Sequence, residues 1–123
     1  MYGKELVLDI HDCDVSKFNR KDIEAFLVKL CDNIIYMERT DLHWWDYEDD
    51  NQEDYDNAPP HLKGTSCVQF ISTSTIVIHS LEDLKKVFIN IFSCKNFNAN
   101  ATAEFIQNYF GGNVITKEVI ERR

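Results

Sequence analysis

An α+β two-layer sandwich, with a largely antiparallel sheet carrying two helices on one face, is the fold class predicted by this sequence, on three observations. Stretches of strand alternation and of helical periodicity follow one another as strand, helix, several strands, helix, strand. Each helical stretch carries one apolar stripe. The stretch between them is rich in β-branched and aromatic residues, and its last strand is apolar on both faces. With 123 residues, 44% apolar and including eight Phe, five Tyr and two Trp, the chain suits a single domain, residues 1–123, with one core.

The elements justify this in order. Lys4 to His11 alternates, with Leu6, Leu8 and Ile10 on one face. Asn19 or Ser16 can cap a helix running to about Asn33, whose Ile23, Phe26, Leu27, Leu30 and Ile34 form one stripe. Residues 35 to 47 read as a second strand leading into an acidic loop, 46–63. Asn57 to Gly64, with Pro59-Pro60, reads as a loop. Val68 to Ile71, Thr75 to His79 and Val87 to Cys94 read as strands. In the last, Phe88, Phe92 and Cys94 oppose Val87, Ile89 and Ile91. Asn98 or Asn100 caps a helix through Phe110, with Phe105, Ile106 and Tyr109 inward. Gly111-Gly112 ends it, and Asn113 to Ile120 is a last strand. Two helices cover only one sheet face, so a second subunit is expected on the other, giving a homo-oligomer with a dimer favoured.

Charge and cysteines exclude several classes. Residues 41 to 56 hold eight acids and no Lys or Arg, leaving 13 acids against 13 bases elsewhere. No basic patch stands out to neutralise phosphates, so a nucleic-acid partner is not expected. Cys13, Cys31, Cys67 and Cys94 show no CxxC spacing and read as free thiols of a reducing compartment. His11, His43 and His61 fit no metal spacing, so no metal is expected. No apolar run approaches the about 18 residues of a spanning helix, and acids interrupt the N-terminal stretch early. A cytoplasmic protein without membrane contact is the expectation.

The informative stretch is Gly64 to Cys94, GTSCVQFISTSTIVIHSLEDLKKVFINIFSC. Ser66 lies eight residues before Ser74, His79 five after it, and Cys94 fifteen after His79. Those spacings, with YGKELVLDIHDCD at the start and FSCKNFN near Cys94, resemble the prokaryotic S-adenosylmethionine decarboxylase family, whose members are pyruvoyl-dependent. The resemblance implies that family's fold. It also implies self-cleavage between Thr73 and Ser74, which makes Ser74 the precursor of a pyruvoyl cofactor. His79 would assist removal of the Ser74 α-proton, Ser66 would polarise the rearranging carbonyl, and Cys94 would return a proton during turnover. S-adenosylmethionine or a related nucleotide would be the ligand, and the product would feed polyamine synthesis.

The chain departs from the family's pattern at four places. Thr73 and Thr75 replace the Glu and His that flank the reactive serine. Leu81-Glu82-Asp83 replaces a Trp-Pro-Glu, and Asn90 replaces an Asp. Three readings follow. The first is a carboxy-lyase with a self-made pyruvoyl group. The second is a lyase or hydrolase degrading S-adenosylmethionine or a derivative without that group. The third is a non-catalytic ligand-sensing paralogue. Thr73 and the aromatics Trp44 and Trp45 are candidate substrate contacts, since aromatic faces attract a sulfonium and stack on adenine.

Overall fold

The computed structural model describes residues 1–47 and 52–123. In chain order its elements are β1 (Gly3–His11), α1 (Arg20–Lys29), β2 (Leu42–Trp45), α2 (Gln52–Asn57), β3 (Gly64–Ile71), β4 (Ser74–Leu81), β5 (Lys86–Ser93), α3 (Ala99–Phe110) and β6 (Asn113–Arg122). The strands form one sheet in the order β2-β3-β4-β5-β1-β6. Every neighbouring pair is antiparallel.

Alternation of the pleat sorts the sheet into two faces. On one, Leu6, Leu8, Ile10, Ile76, Ile78, Val87, Ile89 and Ile91 are buried beneath α1 and α3. Asn19 caps α1, its side chain accepting from the Asp22 N–H, and Asn98 caps α3 in the same way through Ala101. Phe26 of α1 is the hub between the helices. Its ring lies 5.6 Å from that of Phe105, 5.2 Å from Tyr109 and 4.9 Å from Phe110. Tyr109 also donates its hydroxyl to the Asp22 carbonyl at 2.6 Å, so the pair is tied by more than packing.

Among the described residues no α-helix packs on the other face, and cross-strand register arranges it in three rows. One row runs Trp45, Ser66, His79, Phe88, Asp9. The middle row runs His43, Val68, Val77, Asn90, Val7. The third runs Phe70, Thr75, Phe92, Glu5, Ile120. Its apolar members Val7, Val68, Val77, Phe88 and Phe92 are only half-buried.

Two expectations need correction. Residues 35–47 are not one strand: after α1 the chain makes a π turn (Leu30–Ile34), Tyr36 takes a positive φ of 54°, and only Leu42–Trp45 pairs in the sheet. The acidic stretch is not all loop, because α2 and a 3-10 turn at Pro60–Leu62 lie within it. Residues 48–51 of that stretch fall outside the described residues.

Candidate active site

β3 and β4 form a hairpin whose turn is only Ser72-Thr73, since Ile71 pairs directly with Ser74. Ser72 there has φ 62°, the left-handed conformation that such tight hairpin turns demand. Ser74 opens β4 with 2% exposure. Its hydroxyl accepts the backbone N–H of Cys94 at 3.1 Å and donates to the Cys94 sulfur at 3.8 Å. Thr73 adds a second hydroxyl 3.9 Å from the same sulfur. Thus Thr73, Ser74 and Cys94 meet at one end of the sheet.

The environment makes Cys94 unlike the other thiols. Hydrogen bonds from Ser74 first, then Thr73, lower its pKa below the ordinary thiol value, and it is exposed. Burial pushes Cys13 and Cys31 up to about 11, and Cys67 to about 12. All four are free.

Ser66 and His79 make a second centre. They are direct cross-strand partners, and Ser66 Oγ lies 2.8 Å from His79 Nδ1 on the helix-free face. Five residues of strand separate His79 from Ser74, about 16 Å of extended chain. The two side chains also project from opposite faces of β4. Within one chain, therefore, Ser66 and His79 do not reach Ser74.

The two tryptophans part company. Trp45 pairs across the strands with Ser66, is 58% exposed, and helps line a cleft of about 270 Å³ with His61, Ser66 and His79. Trp44 points the other way, its ring 5.8 Å from the Arg20 guanidinium. Arg20 in turn makes two 2.8 Å contacts to the buried Asp46 carboxylate. Trp44 and Asp46 thus fasten β2 to α1. At the far end of the acidic stretch, Tyr55 hydrogen-bonds to Glu82, and that carboxylate raises the phenol to about 12. Glu82 is one of the residues that stand where the family has Trp-Pro-Glu.

Sequence reasoning missed Glu5. Glu5 accepts from Asn90 at 2.6 Å and from Arg122 at 2.5 Å. An Asp at position 90 would set two carboxylates against each other, whereas Asn90 donates. The only available signal was alternation in the first strand, which puts Glu5 on the face opposite Leu6. Among the described residues no group of His, Cys, Asp and Glu could hold a metal ion, and no helix is long and apolar enough to cross a membrane.

A single antiparallel sheet with helices on one face makes this an α+β two-layer sandwich, with a serine-bearing hairpin held against a cysteine at one end. The chain belongs to the S-adenosylmethionine decarboxylase family, whose sequence profile matches residues 4–123. Among solved structures it is similar to the adenosylmethionine decarboxylase from Aquifex aeolicus, with a TM-score of 0.76 over 98% of this chain and 90% of that one. At 18% identity that likeness speaks for the fold alone. No curated protein sequence matches the chain.

Proposed function

We propose that the protein is a carboxy-lyase acting on S-adenosylmethionine through a pyruvoyl group made from Ser74, and that its product feeds polyamine synthesis in the cytoplasm. The observation that carries this is the Thr73, Ser74, Cys94 cluster. The residues present fit such a group at position 74. The serine heads a strand just after a two-residue turn, and both an N–H and a thiol of Cys94 face its oxygen.

The processing chemistry balances as follows. Ser74 Oγ bonds to the Thr73 carbonyl carbon as the bond from that carbon to the Ser74 nitrogen breaks, and the nitrogen keeps the hydroxyl proton. Removal of the Ser74 α-proton then expels Thr73 as a carboxylate. Water hydrolyses the remaining imine to the ketone and releases ammonia. When formed, the ketone takes up the substrate amine and accepts the electron pair left by departing CO2. Cys94 is placed to hold and return a proton at the substrate α-carbon. Trp45 offers a face for the cationic sulfonium.

The base for the α-proton comes, on this reading, from a second copy. A two-fold axis near Val77 and Asn90, in the middle row of the helix-free face, would bring the Ser66–His79 end of one chain over the Ser74–Cys94 end of the other. That packing would also cover Val7, Val68, Phe88 and Phe92, and each Å² of apolar area removed from water contributes ~25 cal/mol. The dimer and the site would be complete together.

Denaturing mass spectrometry tests the proposal. Two fragments, 1–73 and 74–123, are expected, the latter blocked at its N-terminus. Ser74→Ala and His79→Ala chains should each stay whole alone. Co-expressed, they should yield cut His79→Ala chain, because the Ser74→Ala copy supplies the histidine. Full-length mass throughout would sink the pyruvoyl reading. It would favour the second reading, lysis or hydrolysis without that group, for which the about 16 Å of strand between Ser74 and His79 and the Thr73, Thr75 and Asn90 departures already speak.

A further inference from the structure

We propose that Tyr47 and Tyr55 are positioning residues for Trp45, forming with Glu82 a clasp that fixes the walls of the Ser66–His79 cleft and so sets its hold on a cationic ligand. The clasp stands on geometry. The identity of the ligand, a sulfonium, rests on the proposed function.

Trp45 lines the cleft from β2, while His61 and Leu62 line it from the 3-10 turn that precedes β3. β2 is an edge strand that ends at Trp45, and the ring is 58% exposed. The strand alone therefore supports it little. Tyr47 supplies the support, lying edge-on to Trp45 with centroids 5.3 Å apart and planes at 73°. The Tyr47 hydroxyl also donates to the Leu62 carbonyl at 3.0 Å, so one side chain joins the two walls.

Tyr47 is held in turn from α2. The Tyr55 ring meets it at 5.6 Å and 75°. Both ring contacts are T-shaped, the geometry that aromatic quadrupoles favour. Tyr55 then ends on Glu82, just beyond β4, by donating its hydroxyl to that carboxylate. Lys63 secures the same corner. Its ammonium lies 4.9 Å from the Tyr55 ring centroid and 3.6 Å from the Asp83 carboxylate, and its carbonyl accepts the Glu82 N–H at 3.3 Å. α2 has no buried residue, so Tyr55 is its half-buried link to the rest of the fold. A cation over Trp45 needs that ring in a fixed place, because the attraction is significant only within about 6 Å of the centroid.

The test reads the fluorescence of Trp45 and its collisional quenching by acrylamide. Every chain carries Trp44→Phe, which leaves Trp45 as the one indole. Tyr55→Phe keeps the ring against Tyr47 and removes the bond to Glu82. Glu82→Ala removes that bond from the other side, whereas Glu82→Gln leaves an oxygen to accept it. Quenching should rise by about half in the first two, a gain bounded by the 58% exposure already present. The Tyr55→Phe, Glu82→Ala double variant should add nothing further, and Glu82→Gln should stay with the parent. Unchanged quenching in Tyr55→Phe, additive effects in the double variant, or a Glu82→Gln chain that behaves as Glu82→Ala would overturn the clasp.

In turnover, Tyr55→Phe should raise the KM for S-adenosylmethionine about threefold at unchanged kcat, the loss expected of one exposed cation–π contact. Raised quenching with an unmoved KM would overturn the link to ligand binding. Because quenching is read without substrate, a chain that never releases CO2 would refute the proposed function and leave the clasp measurement standing.

Discussion

The two faces of the sheet share six strands, yet differ in what they are made of. Beneath the helices, Leu6, Leu8, Ile10, Ile76, Ile78 and Ile91 are at most 1% exposed. On the helix-free face, half-buried Val7, Val77, Phe88 and Phe92 alternate with Ser66, His79, Asn90 and Glu5. Ser66 and His79 thus stand on the face opposite the packed residues, whereas Ser74 shares the buried pleat of Ile76 and Ile78 at the start of β4. The lesson is that, Ser74 apart, the pleat divides the packed side chains from the polar ones, and substitutions should separate them too.

The largest effect is expected on the covered face. Phe26→Ala removes a fully buried ring that touches three others and should cost about 4 kcal/mol, read by urea or thermal unfolding. A loss below about 1 kcal/mol would mean that the two helices do not depend on that hub.

On the helix-free face the balance reverses. Val77→Asp should change the stability of the single chain by no more than about 1 kcal/mol, because the site is only half-buried. If the chain pairs as proposed, the same change should abolish assembly by placing a carboxylate near its own image across the proposed two-fold axis. Light scattering at micromolar concentration reads this. An undiminished oligomer mass would move the interface elsewhere.

The smallest effect sharpens the same contrast through the thiols. Near pH 7.5, iodoacetamide should add once, at Cys94, while Cys13, Cys31 and Cys67 react only on unfolding. The buried three carry raised folded-state pKa values, so their contribution to stability is intact below about 9 and is lost as pH rises toward 11 to 12. Unfolding free energy should thus decline through that window, and three alanine replacements should flatten the decline. A flat profile in the unsubstituted chain would mean that these thiols ionise as readily folded as unfolded.

Much of this was legible where order is local. The stripe of Ile23, Phe26, Leu27 and Leu30 and the Asn19 cap gave α1, since both rest on contacts within one or two turns. The Ser66–His79 pair was implicit as well. The two residues stand equally far from the Ser72-Thr73 turn, and a tight hairpin must pair them. Residues 35–47 misled because the β-compatible run Ile34-Ile35-Tyr36 is spent on a π turn and a left-handed residue, whose cause is the packing of Ile35 and Cys31 into the core. α2 has no buried residue, so it left no apolar stripe to read. Glu5 reaches Asn90 only through the pairing of β1 with β5, across more than eighty residues. No window of sequence spans that.

The strand order has a consequence for a chain broken at the Ser72-Thr73 turn. Residues 1–73 hold β1, β2 and β3, and residues 74–123 hold β4, β5 and β6. The break does not divide the sheet into two blocks, because β1 is threaded between β5 and β6. The pieces would stay interlocked through two full ladders on β1 and one between β3 and β4. Such a molecule would be born as one chain and persist as two, its native state reachable easily only before the break. Once denatured, it would have to find its other half by collision, so renaturation would become second order in protein and slow on dilution. The hairpin turn would then act as a ratchet, fixing in place an arrangement that only the unbroken polypeptide could readily assemble.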